Sequence, residues 1–234
     1  MATDVRSEWY PYNKIYEGFY TLSQMRDIPR KIMDYLLDMP NGDYTPQDDN
    51  THSRVALWKY LYYDGAKPLS NPLPTPEQKM SVLFNPDEPS KPPTEKGYRL
   101  FPQMYVKQAQ TEAQSRMYVY LGRMIAESDF KIQASVKFEI WTHYTQEANT
   151  KTEAYSRILE MATAIVEAFH GVNMAGVGAF YFNRSRHTDC GMTPITDKDS
   201  NIGYLITLGL TIASEASSAK TPYNDIPLDN GFLG

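Results

Sequence analysis

The sequence predicts an α+β fold: a twisted antiparallel sheet of about four strands backed by one long amphipathic helix. Three observations carry this. Residues 131–143 alternate, with Ile132, Ala134, Val136, Phe138 and Ile140 on one side and Lys131, Gln133, Ser135, Lys137 and Glu139 on the other, which is the pattern of a strand buried on one face. Residues 201–214 alternate in the same way through Ile202, Tyr204, Ile206, Leu208, Leu210 and Ile212. Between them, Tyr155, Ile158, Leu159, Ala162, Ile165, Val166 and Phe169 fall at the spacing of one helical face.

The amino-terminal part differs in texture. Residues 1–21 hold Trp9, Tyr10, Tyr12, Tyr16, Phe19 and Tyr20 with no clean period, and are read as an arm laid on a surface. A helix is expected from near Pro29, since proline suits the first helical position, and it stops at Pro40-Asn41-Gly42-Asp43. A second is expected from Ser53 as N-cap to Asp64-Gly65. Eight of the sixteen prolines then lie between positions 68 and 93, so this stretch reads as extended. Thr75-Pro76-Glu77-Gln78 interrupts it with a capping-box pattern that would start a short helix, with Met80, Leu83 and Phe84 to bury.

From residue 115 the chain becomes a core unit. Met117, Val119 and Leu121 alternate with Tyr118, Tyr120 and Gly122, and a turn is expected at Glu127-Ser128-Asp129. The helix is expected over 151–169, capped by Thr150 and Glu153 and closed by His170-Gly171. A third strand, 174–182, is weakened by Gly176 and Gly178. Residues 183–200 read as a polar loop. The expected organisation is therefore residues 1–114 as arm, two short helices and proline-rich loop, 115–214 as a β-β-α-β-β core, and 215–234 as an extended tail.

Composition narrows the function. A net charge of -5 argues against a general nucleic-acid binder, and no sequence-specific nucleic-acid contact is expected. One cysteine, Cys190, rules out an internal disulfide framework. No leader and no membrane-spanning run are read in the sequence. Eighteen tyrosines favour contact surfaces, because the side chain joins a large apolar body to a polar tip.

Candidate chemistry is sparse. His187, Asp189 and Cys190 offer three metal or nucleophile groups in one loop, but the second pair of ligands that a zinc site needs is missing. The acidic sets Asp43, Asp48, Asp49 and Asp197, Asp199 lack the order of a calcium loop. Gly176-Val177-Gly178 lies within a strand pattern and has no phosphate-loop lysine. The reading is a non-enzyme with no catalytic residue, no metal and no cofactor. A small α+β enzyme or ligand-binding domain using His187, Asp189 and Cys190 is the rival.

What remains is a surface for partners. Arg184, Arg186 and His187 form a positive spot suited to carboxylates of a partner subunit. Trp9, Tyr10, Tyr12, Leu83 and Phe84 are the expected oligomer-interface anchors. Strands of thirteen residues span about 43 Å, whereas a nineteen-residue helix covers about 28 Å. The strands should project past the helix and find cover from further copies of the chain.

Taken in order, Val136-Lys137-Phe138-Glu139-Ile140, then Arg157-Ile158-Leu159-Glu160-Met161-Ala162, then Gly176-Val177-Gly178-Ala179-Phe180, then Ile202-Gly203-Tyr204-Leu205-Ile206-Thr207-Leu208 follow a strand–helix–strand–strand order. With the strand before it, this order resembles the tail-terminator and head–tail joining (neck) proteins of tailed bacteriophages. The resemblance covers less than half the chain and rests on element order. It implies a homo-oligomeric ring, commonly a hexamer, that caps the tail tube and meets the head connector within the virion. It implies partners among neck, connector and tail-tube proteins and carries over no catalytic residue. An adaptor or stopper ring nearer the portal is the alternative within that class.

Overall fold

The computed structural model describes residues 25–37, 49–87, 97–104, 113–128, 131–150, 156–174, 177–197 and 200–213. The α+β class is as expected, but the sheet is larger and mixed. Among the described residues it has seven strands: β1 (Leu100–Phe101), β2 (Ser115–Ser128), β3 (Lys131–His143), β4 (Asn173–Met174), β5 (Gly178–Tyr181), β6 (Gly191–Thr196) and β7 (Asn201–Ala213). Six follow the order β1-β2-β3-β7-β5-β4, and β6 pairs with β7 as well.

The long ladders match their alternation. β3 pairs antiparallel with β7 without a register shift, from Lys131 opposite Ala213 to His143 opposite Asn201. Ala134, Val136, Phe138 and Ile140 are fully buried on one face. The departure from a purely antiparallel sheet is β1, which lies parallel to β2 at Met117 and Tyr118.

The expected polar loop 183–200 contains a strand. β6 takes the edge of β7 from Ile202 to Thr207, and β5 takes the same edge from Gly209 to Thr211. Its disguise is Pro194, which sits opposite Tyr204. Proline has no N–H for a ladder and is tolerated on an edge strand, where that N–H would point away from the sheet. The expected third strand is a short hairpin, with β4 antiparallel to β5. Gly178, at φ +126, runs so close to Thr211 that an added Cβ would lie 2.2 Å from its carbonyl oxygen.

Helices α1 (Ile28–Leu37), α2 (Asp49–Tyr62), α3 (Pro76–Ser81), α4 (Tyr144–Thr150) and α5 (Arg157–Phe169) complete the fold. The α3 capping box forms as expected: Thr75 Oγ1 accepts from Gln78 N, and Gln78 Oε1 accepts from Thr75 N. Of the residues expected beneath α3, Leu83 is buried and Met80 is exposed.

Two helix starts differ. The second helix begins at Asp49, and Ser53 lies inside it with Oγ donating to Glu167 Oε2 at 2.7 Å. The long helix is thirteen residues, not nineteen, because Ser156 is its N-cap, accepting from Leu159 N. Thr150 instead closes α4, and Glu153 lies outside the described residues. On this helix Leu159 faces outward, 42% exposed, and Arg157 lies on the buried face.

One apolar cluster joins α1 and α2 to the core face of the sheet. Phe169 is its hub, with ring centroids 5.4 Å from Tyr35 on α1, 4.9 Å from Phe138 on β3 and 5.5 Å from Phe180 on β5. Burying a side chain of this size stabilises by about 1.5–3 kcal/mol. The packing of α1 and α2 thus depends on α5 and the sheet. No helix among the described residues is long and apolar enough to cross a membrane.

Candidate assembly surfaces

Two surfaces stand out. The first is the turn from Asn183 to Cys190, which leaves β5 and returns to β6. Asn183 organises it: the main-chain carbonyl accepts from Arg186 N and His187 N, and the side-chain oxygen accepts from Ser185 N. Arg184 and Arg186 are exposed. The Arg186 guanidinium lies 4.5 Å from the ring centroid of Tyr181, a stacking that holds the fork in a defined direction while leaving its edge to solvent.

His187 is not on that surface. It is 5% exposed, and Gly209 of β7 passes so close that an added Cβ would lie 2.5 Å from the His187 Cβ. Its Nδ1 accepts from Asp189 N at 3.4 Å, and its Nε2 has no hydrogen-bond partner among the described residues. The imidazole is therefore a wedge that seats the turn on the sheet, and burial removes it from the set of groups a partner could touch. Cys190 is also buried, its thiol donating to the Tyr181 carbonyl at 3.3 Å. The Asp189 group facing the imidazole is its main-chain N–H, so the loop assembles no Asp-His-Cys relay. His170, at the end of α5, accepts from Phe182 N through Nδ1 at 3.0 Å.

The expected aromatic anchors divide. Trp9, Tyr10 and Tyr12 lie outside the described residues. Leu83 is 4% exposed and bridges to Leu100, so its own protomer covers it. Phe84 is half-buried, 5.5 Å from both Tyr98 and Phe101, and Phe101 in turn stacks on Tyr118 at 4.6 Å. These rings tie the segment after α3 to the edge of the sheet.

The second surface follows from strand length rather than from a motif. β2, β3 and β7 hold fourteen, thirteen and thirteen residues, and at about 3.3 Å per residue they outrun the roughly 20 Å of α5. The far end of the β2–β3 hairpin is bare: Arg123 to Glu127 are all exposed, with Met124 at 49% and Ile125 at 37%. β1 reaches only Met117 and Tyr118. From Val119 onward, no strand among the described residues lies on the outer edge of β2. Bulges interrupt the pairing to β3 between Leu121 and Met124 and again between Ala126 and Ser128, a device that bends an edge without covering it.

Sequence reasoning missed the buried cations. Arg157 donates to the carbonyls of Tyr60, Tyr63 and Gly65, and Arg99 donates to the Leu61 carbonyl and forks onto the Asp64 carboxylate. These guanidiniums satisfy the carbonyl end of α2, where cations are favoured. Burial pulls the Arg157 guanidinium down to about 10, against the pull of Asp64. The available signal was Arg157 falling four residues before Met161 on the apolar stripe.

Comparison with known proteins gives one match. No curated protein and no solved structure matches the chain. A family model described as YomW matches residues 55–207, which run from α2 through the sheet to the middle of β7. That span holds both the Asn183–Cys190 turn and the bare hairpin, and it exceeds half of the sequence: the chain belongs to the YomW family.

Proposed function

We propose that this chain is a structural ring protein of a tailed-phage neck or tail top, acting as a tail terminator between the tail tube and the head connector, and residing in the virion. The observation behind the reading is the bare end of the β2–β3 hairpin, where a ladder longer than its helix presents Met124 and Ile125 to solvent, which marks a subunit to be covered by further copies. A monomer gains nothing from such an exposed edge, which invites unwanted strand pairing. A subunit that is covered on assembly does gain from it. Support also comes from the order of the longer elements, with β2 and β3 before α5 and further strands up to β7 after it, which resembles that of neck proteins of that kind. Capping a tube needs one face matching the last ring and another refusing further addition. No reacting group is required.

In this reading, Arg184 and Arg186 dock on carboxylates of the neighbouring subunit or ring. Light scattering coupled to size exclusion tests it, together with electron microscopy of the purified protein. Closed rings are expected. A chain that stays monomeric at high concentration, alone and with tail tubes added, overturns the reading. Arg184→Glu with Arg186→Glu should leave the fold intact and weaken ring formation, and wild-type assembly of that variant removes the docking role.

A further inference from the structure

We infer that the bare edge of β2 is a two-fold contact, in which the same edge of a second copy of this chain lies antiparallel to it with Ile125 on the axis. The inference rests on the reading that the chain assembles with its own copies, and adds which surface meets which.

The other edges of the sheet are poor partners for it. β4 has only two residues. β6 carries Pro194, whose missing N–H deprives any added strand of a hydrogen bond. By contrast, the outer edge of β2 from Val119 to Ser128 contains no proline. Among the described strands, the one best able to pair with this edge is therefore another β2.

The sequence of that edge is self-complementary in one register. With Ile125 opposite Ile125 of the second copy, Arg123 faces Glu127 of that copy, and Glu127 faces Arg123. Ile125 pairs with Gln133, Ser135 Oγ donates to the Arg123 carbonyl, and Glu127 forms an ion pair with Lys131, so all three β2 residues lie against β3 residues of one face. One bulge lies on each side of Met124–Ala126, which leaves those three residues regularly paired to β3. Met124 then meets Ala126 of the second copy, which covers the most exposed apolar side chain of the hairpin. Within its own protomer Glu127 also pairs with Lys131, and that bond can persist because a carboxylate has two oxygens to offer. Opposite charges directly across a strand pair are favourable and like charges unfavourable. A two-fold contact cannot close a ring by itself, so a ring would use a head-to-tail surface, such as the Arg184 turn, in addition.

Cysteine cross-linking and charge reversal test the contact on the full chain. Ile125→Cys treated with a short bismaleimide should give a dimer linked at identical positions, whereas Thr193→Cys on β6 should not. Arg123→Glu sets two pairs of carboxylates against each other and should raise the dissociation constant of the pair about tenfold, and Arg123→Glu with Glu127→Arg should restore it. Circular dichroism confirms that each variant is folded, and the rescue separates contact from folding. Failure of the Ile125→Cys link, or full-strength association of Arg123→Glu, overturns the inference. Closed rings without the link would sink the two-fold contact and leave the ring. Linked dimers that never grow would do the reverse.

Discussion

The guanidinium of Arg157, in the first turn of α5, donates to the main-chain carbonyl of Tyr60 in the last turns of α2. It is fully buried, and it also donates to the carbonyls of Tyr63 and Gly65. A charged side chain thus does for α2 what glycine caps do for other helices.

Replacing Arg157 with Met should cost about 3 kcal/mol of stability, because each buried carbonyl left without a donor costs roughly 1–3 kcal/mol. Arg157→Lys should recover only part, since an ammonium lacks the planar fork that spans several carbonyls. Urea unfolding of the three proteins checks this. Equal midpoints for Met and wild type would refute the capping role.

Gly209 and His187 should behave as a coupled pair. Gly209→Ala places a Cβ 2.5 Å from that of His187 and should destabilise by about 1–3 kcal/mol, the usual range for overpacking. On a His187→Gly background the same change should cost much less. Additive losses in the double-mutant cycle would show that the two sites do not meet.

Ser156→Ala should lower stability by about 1 kcal/mol by removing the cap of α5, whereas Thr150→Ala should stay within about 0.5 kcal/mol. Thermal melts of both variants decide it. The opposite ranking would return the start of the helix to Thr150.

The phenol of Tyr120 is held above its ordinary 10.0 first by burial, then by the charge of Glu139, then by the hydrogen bond it donates to that carboxylate at 3.0 Å. The folded state therefore holds this proton more tightly than the unfolded chain. The stability it lends is complete below 10.0 and is lost as the pH rises above that value. Tyr120→Phe should flatten the alkaline limb of the stability curve, and an unchanged limb would place the titration elsewhere.

The strands with one apolar and one polar face were legible, and β3 lies over the residues its alternation marks. The capping box at Thr75 was equally clear, because its four residues are contiguous and make their own bonds. The start of α5 was not: Thr150-x-x-Glu153 and Ser156 both offer caps, and local chemistry does not decide between them. What decides is the burial of Arg157, which depends on carbonyls some ninety residues away in sequence. β6 escaped notice because Pro194 interrupts it and only Met192 and Ile195 among its six residues are large and apolar, so its place comes from β7 rather than from its own pattern. In the candidate surfaces, the exposure of Arg184 and Arg186 followed from charge. The burial of His187 did not, since it depends on the space above Gly209.

The capping of α2 by Arg99 and Arg157 also sets an order of events during synthesis. The end of that helix emerges well before either donor does; β1, β2 and β3 follow Arg99, and β7 completes the sheet only after Arg157. A growing chain therefore carries two helices whose apolar sides lack the cover of α5 and β7 until α5 has left the ribosome, a state prone to aggregation or to capture by chaperones. Fragments stopped just short of Arg157 should be degraded or insoluble, and those that continue through β7 should not; soluble, protease-resistant short fragments would show that the early helices need no such wait.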